Sequence, residues 1–396
     1  MNFFLLTVIK TAVVAFVLLT ALAYIQWAER KLIAHVQLRM GPYRVGPHGL
    51  LQPLADVIKL ITKEDLLPPY VNRFFYLLAP FLAVALALIS IAVIPFGPKV
   101  TIFGVETYMQ LTDVSFGLLL ILALGSLGVY GIALGGWASN NKYSLLGALR
   151  SAAQMVSYEL PLSLSLASPL LLLNTLSLRE MAEAQSGFIF GVIPNWTIFM
   201  GPAPQLIAFI LFLIAGFAET NRLPFDLPEA ETELVAGFHT EYSSMKFAAF
   251  FLAEYANMVT ICAVATLLFL GGWHSPIPSE TLSNFFPTIL LLCTGLLLYF
   301  HASQAVRWRD KITYPLFGTV MLLVAGVFAI PAVQPVLVPV FWFVAKIGLL
   351  LFLFIWVRAT LPRFRYDQLM SFAWKFMLLT SLAHLMITGL LVALFG

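Results

Sequence analysis

Seven acidic residues, Glu219, Asp226, Glu229, Glu231, Glu233, Glu241 and Glu254, crowd into residues 218–255 of a 396-residue chain that has only 19 in all. Carboxylates packed together raise one another's affinity for protons, so such a group can hold and pass protons near neutral pH. Glu254 lies within an apolar run, and so does Glu159 in the earlier stretch "QMVSYELPL". An ionisable side chain at membrane depth costs on the order of 2.5–3.5 kcal/mol and ordinarily faces a bundle interior or a hydrated path. The plainer alternative is a neutral, hydrogen-bonded acid that holds helices together.

Other chemistries find little support. Cys262 and Cys293 each stand alone in apolar runs, so no iron–sulfur cluster, structural zinc or other metal is expected on this chain. Neither G-x-x-x-x-G-K-[ST] nor G-x-G-x-x-G occurs, so FMN or any other nucleotide belongs to a different chain. His301 and His384 are lone helix histidines and read as satisfied core residues. Lys346 sits deep in an apolar run, whereas Lys10 and Lys375 lie near helix ends, where snorkelling to the interface accounts for them.

The elements that must position these acids are membrane helices. The chain is 61% hydrophobic and 10% charged, with mean hydropathy +0.93, against about 25% charged residues in soluble domains. Runs long enough for a ~30 Å hydrocarbon core fall near 2–27, 74–95, 114–138, 152–173, 203–218, 247–270, 285–303, 313–331, 334–357 and 371–395. The fold class is therefore all-α: one polytopic transmembrane bundle of about ten helices spanning residues 1–396, with no nucleic-acid partner. Ala-Leu-Ala at 21–23 mimics a signal-peptide cleavage site, but the basic residues follow the apolar run, so the first segment stays as a helix. Pro161 is expected to kink the fourth helix. Gly131 and Gly135 form a G-x-x-x-G pair suited to close helix packing.

Seventeen of the 22 Lys and Arg residues lie in loops after the odd-numbered helices and two, Lys99 and Arg179, after the even-numbered ones. The positive-inside rule then puts both termini on the outer side and the acidic stretch on the cytoplasmic side. In the cytoplasmic loop 28–73, Leu50, Leu51, Leu54, Val57, Ile58 and Ile61 recur at helical spacing. That pattern predicts an amphipathic helix, lying either at the membrane interface or against the bundle. Helices 4 and 6 both enter from this side, which sets Glu159 and Glu254 roughly 10–12 Å along their helices, at similar depth.

Pro224 and Pro228 forbid a continuous helix from the fifth span to the sixth. Pro228 suits the first position of a short helix over 228–236 closed by Gly237. Glu229, Glu231 and Glu233 would then stabilise its positive N-terminus by about 0.3–1 kcal/mol each. Glu229 and Glu233 nevertheless repel at i, i+4, so capping explains only part of the crowding.

Five stretches, "WAERKLIAHVQLRMGPYRVGPHGLLQPLADVIKLITKED", "NNKYSLLGALRSAAQMVSYELPL", "AETNRLPFDLPEAETELVAGFHTEYSSMKFAAFFLAEYANM", "FLGGWHSP" and "FIWVRATLPRFRYDQLM", together resemble the family of quinone-site membrane subunits of respiratory complex I, the proton-translocating NADH:quinone oxidoreductase. The resemblance covers nearly the whole chain except 276 to about 333. It implies an eight-helix core in the bacterial inner membrane that docks on the peripheral arm and forms most of a quinone tunnel. Its substrate would be ubiquinone or menaquinone. Its partners would be the peripheral-arm subunits carrying the terminal iron–sulfur cluster, the small membrane subunits of the pumping arm, and lipid. On that pattern Glu29, Arg30, Arg39, Asp56, Arg222 and Arg358 match tunnel and junction positions. Glu159, Glu219, Glu229, Glu231, Glu233, Glu241 and Glu254 match an acidic path that couples quinone reduction to proton pumping. No complete active site is expected within this chain alone. A quinone's flat ring and long tail call for apolar walls open to lipid, expected between helix 1, the amphipathic helix and helices 5 and 6, with arginines at the narrow end.

One departure is two extra helices, within 276–333, expected to pack at the periphery away from the tunnel. The nearest rival is the equivalent subunit of a membrane-bound hydrogenase or ferredoxin-linked relative, which resembles this chain less because "RLPFDLPEAETELV" and "RATLPRFRYDQLM" are complete here. A stand-alone proton transporter is disfavoured, since no inverted repeat is visible.

Overall fold

Apolar runs with intervening turn residues give long helices throughout the computed structural model, which describes residues 3–102, 105–201, 203–226, 236–305 and 307–395. In chain order the helices are α1 (Phe3–Val36), α2 (Gln52–Thr62), α3 (Arg73–Ala92), α4 (Gly117–Ala138), α5 (Lys142–Leu173), α6 (Leu178–Ala184), α7 (Leu206–Glu219), α8 (Ser244–Phe269), α9 (Glu280–Gln304), α10 (Trp308–Ala329), α11 (Gln334–Thr360) and α12 (Tyr366–Phe395). Among the described residues nine of these are long and apolar enough to cross a membrane, and α7, at 14 residues, is the short fifth span expected from the sequence. At 1.5 Å per residue α7 rises only about 21 Å.

The ends are set by local chemistry. The Asn141 side chain accepts from the Tyr143 amide at 3.0 Å and starts α5, which stays helical through Pro161 and Pro169 and ends at Asn174 in the left-handed conformation. Ser279 starts α9 in the same way, accepting from the Leu282 amide. A π-helical turn over Ala373–Met377 interrupts α12 near its start.

α8 is the most buried span, whereas α1, α9, α10 and α12 are mostly uncovered by protein. α3 and α4 approach backbone to backbone at Gly131. A Cβ there would stand 3.2 Å from both the Ala79 carbonyl oxygen and the Ala83 nitrogen, which is the close packing expected of this G-x-x-x-G pair. α9 and α10 cross in the same manner, with Gly295 and Gly318 each facing the other's carbonyl oxygen.

Two short antiparallel hairpins qualify the all-helical expectation: β1 (Gly97–Ile102) with β2 (Val105–Met109), and β3 (Phe188–Ile189) with β4 (Ile193–Pro194). The first hairpin also corrects the reading of Lys10. Its ammonium does not snorkel but donates to Thr107 Oγ1 at 3.2 Å and the Tyr108 carbonyl at 3.0 Å, pinning the hairpin to α1. Lys346 donates to the carbonyls of Leu270, Gly272 and His274, where it satisfies backbone acceptors past the end of α8. His301 is exposed on α9 rather than part of the core, while His384 meets Ser168 Oγ at 3.2 Å.

α2 packs on α1 and α8 along one side only. Leu54, Val57, Ile58 and Ile61 are left exposed, while Asp56 turns inward to Arg30. An apolar face uncovered by protein fits an interfacial helix.

Candidate functional site

On α1, Gln26, Glu29, Arg30 and Ile33 recur at i, i+3, i+4 and i+7, so all four share one helix face. That face lines a cavity of about 450 Å³ at the end of the bundle where α1 and α11 finish and α8 begins. Phe251 and Tyr255 on α8, Arg39, Gly41 and Pro42 from the loop after α1, Arg222 after α7 and Arg358 on α11 complete the wall. Five of the six positions expected for the tunnel therefore converge. The sixth, Asp56, stands behind the wall and holds Arg30 at 2.8 Å.

Glu29 is the hub of this cavity. It is buried, accepts from Tyr255 Oη at 2.9 Å, takes a hydrogen bond from Arg358 Nη1 and lies 3.6 Å from Arg222 Nη1. A buried carboxylate left unpaired is costly, and here two guanidinium groups and a phenol satisfy it. The Arg222 guanidinium also sits 4.2 Å over the Tyr255 ring. One carboxylate against four arginines leaves the cavity wall electropositive.

The turn that aims Arg222 is fixed by a residue that the sequence alone does not single out. Gln154, fully buried on α5, donates through Nε2 to the carbonyls of Ala218 and Phe225, both at 2.8 Å, and to Asn221 Oδ1. Asn221 takes a left-handed φ of 50°, which this residue type tolerates. The next loop is tied in by Arg363 to Asp226 at 2.9 Å and by the Phe364 amide to the Pro224 carbonyl. Those two links bring Arg358 and Arg222 onto the same carboxylate.

Arg222 reaches further inward. Its Nε lies 3.3 Å from Glu254 Oε1. Glu254 and Glu219 line one cavity of about 50 Å³, together with Thr220, Asn221, His239 and Asn257. A second space of about 30 Å³ continues from Glu219 and Asn257 along Gly125 and Thr260. Both exceed the ~10–15 Å³ that one water needs, and both carry polar partners for it. Glu219 in turn stands within electrostatic range of Glu159, which accepts from Ser126 on α4. Glu219 Oε2 has no hydrogen-bond partner among the described residues. His239, packed among Phe238, Phe247 and Phe251, is pushed down by burial to a pKa of about 4 and stays neutral at pH 7.

Glu241 belongs to a separate group. It accepts from Asn141 at 2.7 Å and Tyr70 at 3.2 Å, which joins the loops flanking α3 and α5. Glu229, Glu231 and Glu233, with the short helix expected over 228–236, lie outside the described residues. The larger apolar cavity, about 560 Å³, is walled by α7, α11 and α12, including Phe217, Phe225 and Phe372. Of the elements expected to wall the tunnel, helix 1, the amphipathic helix and helices 5 and 6, it touches only the fifth span, α7.

The family model described as NADH dehydrogenase matches residues 9–389. The chain belongs to the NADH dehydrogenase family. It is 64% identical to the NADH-quinone oxidoreductase H subunit 1 of Solibacter usitatus (strain Ellin6076), over 99% of this chain and 98% of that one. It is 52% identical to the H subunit 2 of Koribacter versatilis (strain Ellin345), over 99% and 98%, and 44% identical to the H subunit 2 of Geobacter metallireducens (strain ATCC 53774 / DSM 7210 / GS-15), over 100% and 97%.

Within this NADH dehydrogenase family chain, Tyr255, Ser126 and Gln154 are positions of the candidate site that sequence reasoning missed. Tyr255 had one available signal, since it follows Glu254 and falls four residues after Phe251, on the face that meets α1. Ser126 and Gln154 had none, because a polar residue in an apolar run does not say which neighbour it will meet.

Proposed function

We propose that the chain is the quinone-site membrane subunit of a proton-translocating NADH:quinone oxidoreductase, and that the cavity around Glu29 receives the quinone head group. The observation that carries this reading is the arrangement of Arg30, Arg39, Arg222 and Arg358 around one buried carboxylate at the end of an apolar bundle. Quinone reduction takes two electrons and two protons to give the quinol. Guanidinium donors aimed at the carbonyl oxygens stabilise the charge that develops on the ring before protonation. The electrons come from the terminal iron–sulfur cluster of a peripheral-arm partner, and small membrane subunits continue the path into the pumping arm.

Arg222 is the coupling element of this proposal. It is shared between Glu29 and Glu254, so a negative charge in the cavity competes for it and loosens its hold on Glu254. Glu254 then takes up a proton, which passes through the water-sized spaces to Glu219 and Glu159. On this reading the cavity and the basic loops around it face the cytoplasm at a bacterial inner membrane, with both termini outside. The subunit of this reading acts only within the assembled complex.

A photoreactive quinone analogue applied to the native membranes tests this directly. Label is expected on residues 26–42, 222–226 and 251–258, together with copurifying partner subunits. Label confined to other segments, or quinone reductase activity from the isolated chain, would overturn the proposal.

A further inference from the structure

The hairpin of α9 and α10 was expected at the periphery, away from the tunnel, and most of its surface is indeed uncovered by protein. The turn that joins the two helices departs from that expectation. His48, in the loop after α1, places Nε2 3.0 Å from Thr313 Oγ1 and 3.6 Å from Asp310 Oδ1, and stacks on Tyr314 with ring centroids 5.2 Å apart and planes 15° from parallel. Tyr43 in the same loop donates to Asp310 Oδ1 at 3.4 Å and lies under the Arg307 guanidinium at 5.5 Å. These contacts join residues 265 and 267 positions apart.

The loop so held is also the cavity wall. Arg39, Gly41 and Pro42 line the Glu29 cavity, and Lys31 donates to the carbonyls of Pro42 at 2.9 Å and His48 at 3.1 Å. The backbone of Gly41 is pressed onto α1 so closely that a Cβ would stand 3.1 Å from the Arg30 carbonyl oxygen and the Lys31 Cα. His48 itself has a φ of 51°, between Gly46 at 71° and Gly49 at 79°. A non-glycine residue in the left-handed region persists where its surroundings hold it there, and the first two turns of α10 supply that surrounding.

We propose that the first two turns of α10 are a brace for the cavity, and that Asp310, Thr313 and Tyr314 are positioning residues acting through His48 and Tyr43 on the wall formed by Arg39, Gly41 and Pro42. The hairpin is thereby part of the machinery for admitting quinone. This rests on the quinone reading of the cavity and adds to it a specific partner surface within the chain.

The assembled complex carrying Asp310→Ala with Thr313→Val tests the brace by hydrogen exchange and steady-state kinetics. The amides of Gly49, Leu50 and Leu51 bond to Gly46, Pro47 and Val45, and their exchange is expected to quicken at least tenfold while α8 is unchanged. KM for a short-tailed quinone is expected to rise about fivefold with kcat held within twofold, and Asp310→Ala with Thr313→Ser, which returns the hydroxyl facing His48, should recover part of both changes. Unchanged exchange overturns the brace whatever the kinetics. Faster exchange with an unmoved KM overturns the positioning role if the photoreactive quinone labels residues 26–42, and overturns the quinone reading of the cavity if it does not.

Discussion

Arg222 Nε stands 3.3 Å from Glu254 Oε1, while the other arm of the same guanidinium reaches Glu29. One cation thus connects the charged end cavity to a carboxylate inside α8. Replacing it removes an ion partner from two acids at once, of which Glu29 keeps Arg358 and Tyr255.

Arg222→Met is expected to lower quinone reductase activity more than tenfold, since it takes a guanidinium donor from the cavity and removes the cation shared by Glu29 and Glu254. Arg222→Lys should recover part of the loss, because a single ammonium can serve one carboxylate but lacks the fork that serves two. Turnover by membranes carrying each variant, normalised to assembled complex, decides the matter. Equal loss in both would point to charge-independent damage.

Glu159→Gln keeps the side-chain size and the contact with Ser126 but removes the titratable group. Quinone reduction with an uncoupler present should fall less than the protons moved per quinol formed, measured in proteoliposomes. Ser126→Ala, which removes the hydroxyl that donates to Glu159, is expected to shift the same ratio by a smaller amount. An unaltered ratio in both would remove Glu159 from the proposed path.

Hydropathy alone located the nine membrane-length helices found among the described residues, because each must bury an apolar run of that length, and the short α7 was already short in the sequence. The arginines of the Glu29 cavity were legible only through resemblance to the family: nothing local to Arg222 or Arg358 says that both will meet Glu29. Lys10 was misread for the same reason. Its place near a helix end looked like snorkelling, and its partners, Thr107 and Tyr108, lie nearly a hundred residues away. The His48–Asp310 contact was invisible in kind, since long-range polar pairs leave no periodicity. Glu241 reads as one of a crowd in sequence, yet its hydrogen bonds assign it to loop joining.

Gly131 offers a test of packing that is independent of the chemistry. Gly131→Ala puts a methyl 3.2 Å from backbone atoms of α3 and is expected to cost roughly 1–3 kcal/mol through overpacking. Gly326→Ala, where a Cβ meets nothing within 4 Å, is the control expected to leave stability unchanged. The thermal inactivation midpoint of the purified complex should drop for the first variant and not for the second. A midpoint unmoved by Gly131→Ala would mean that α3 and α4 can separate freely.

Two histidines outside the spans give the stability a pH dependence of defined sign. Burial holds His239 and His274 down to about 4, with the Lys346 charge adding to the effect at His274, while the unfolded chain protonates them near 6.5. Between those values the unfolded state binds more protons, so stability falls as pH drops. This contribution is fully present above about 6.5 and is lost progressively toward 4. His239→Gln and His274→Gln should each flatten the decline in unfolding midpoint of the detergent-solubilised complex measured from pH 7.5 to 5. The midpoint at pH 7.5 is expected to fall somewhat in both, since each loses a fitted ring, so the slope rather than the absolute value carries the test. Variants that decline as steeply as the parent would show that these rings are hydrated, or already protonated, in the folded complex.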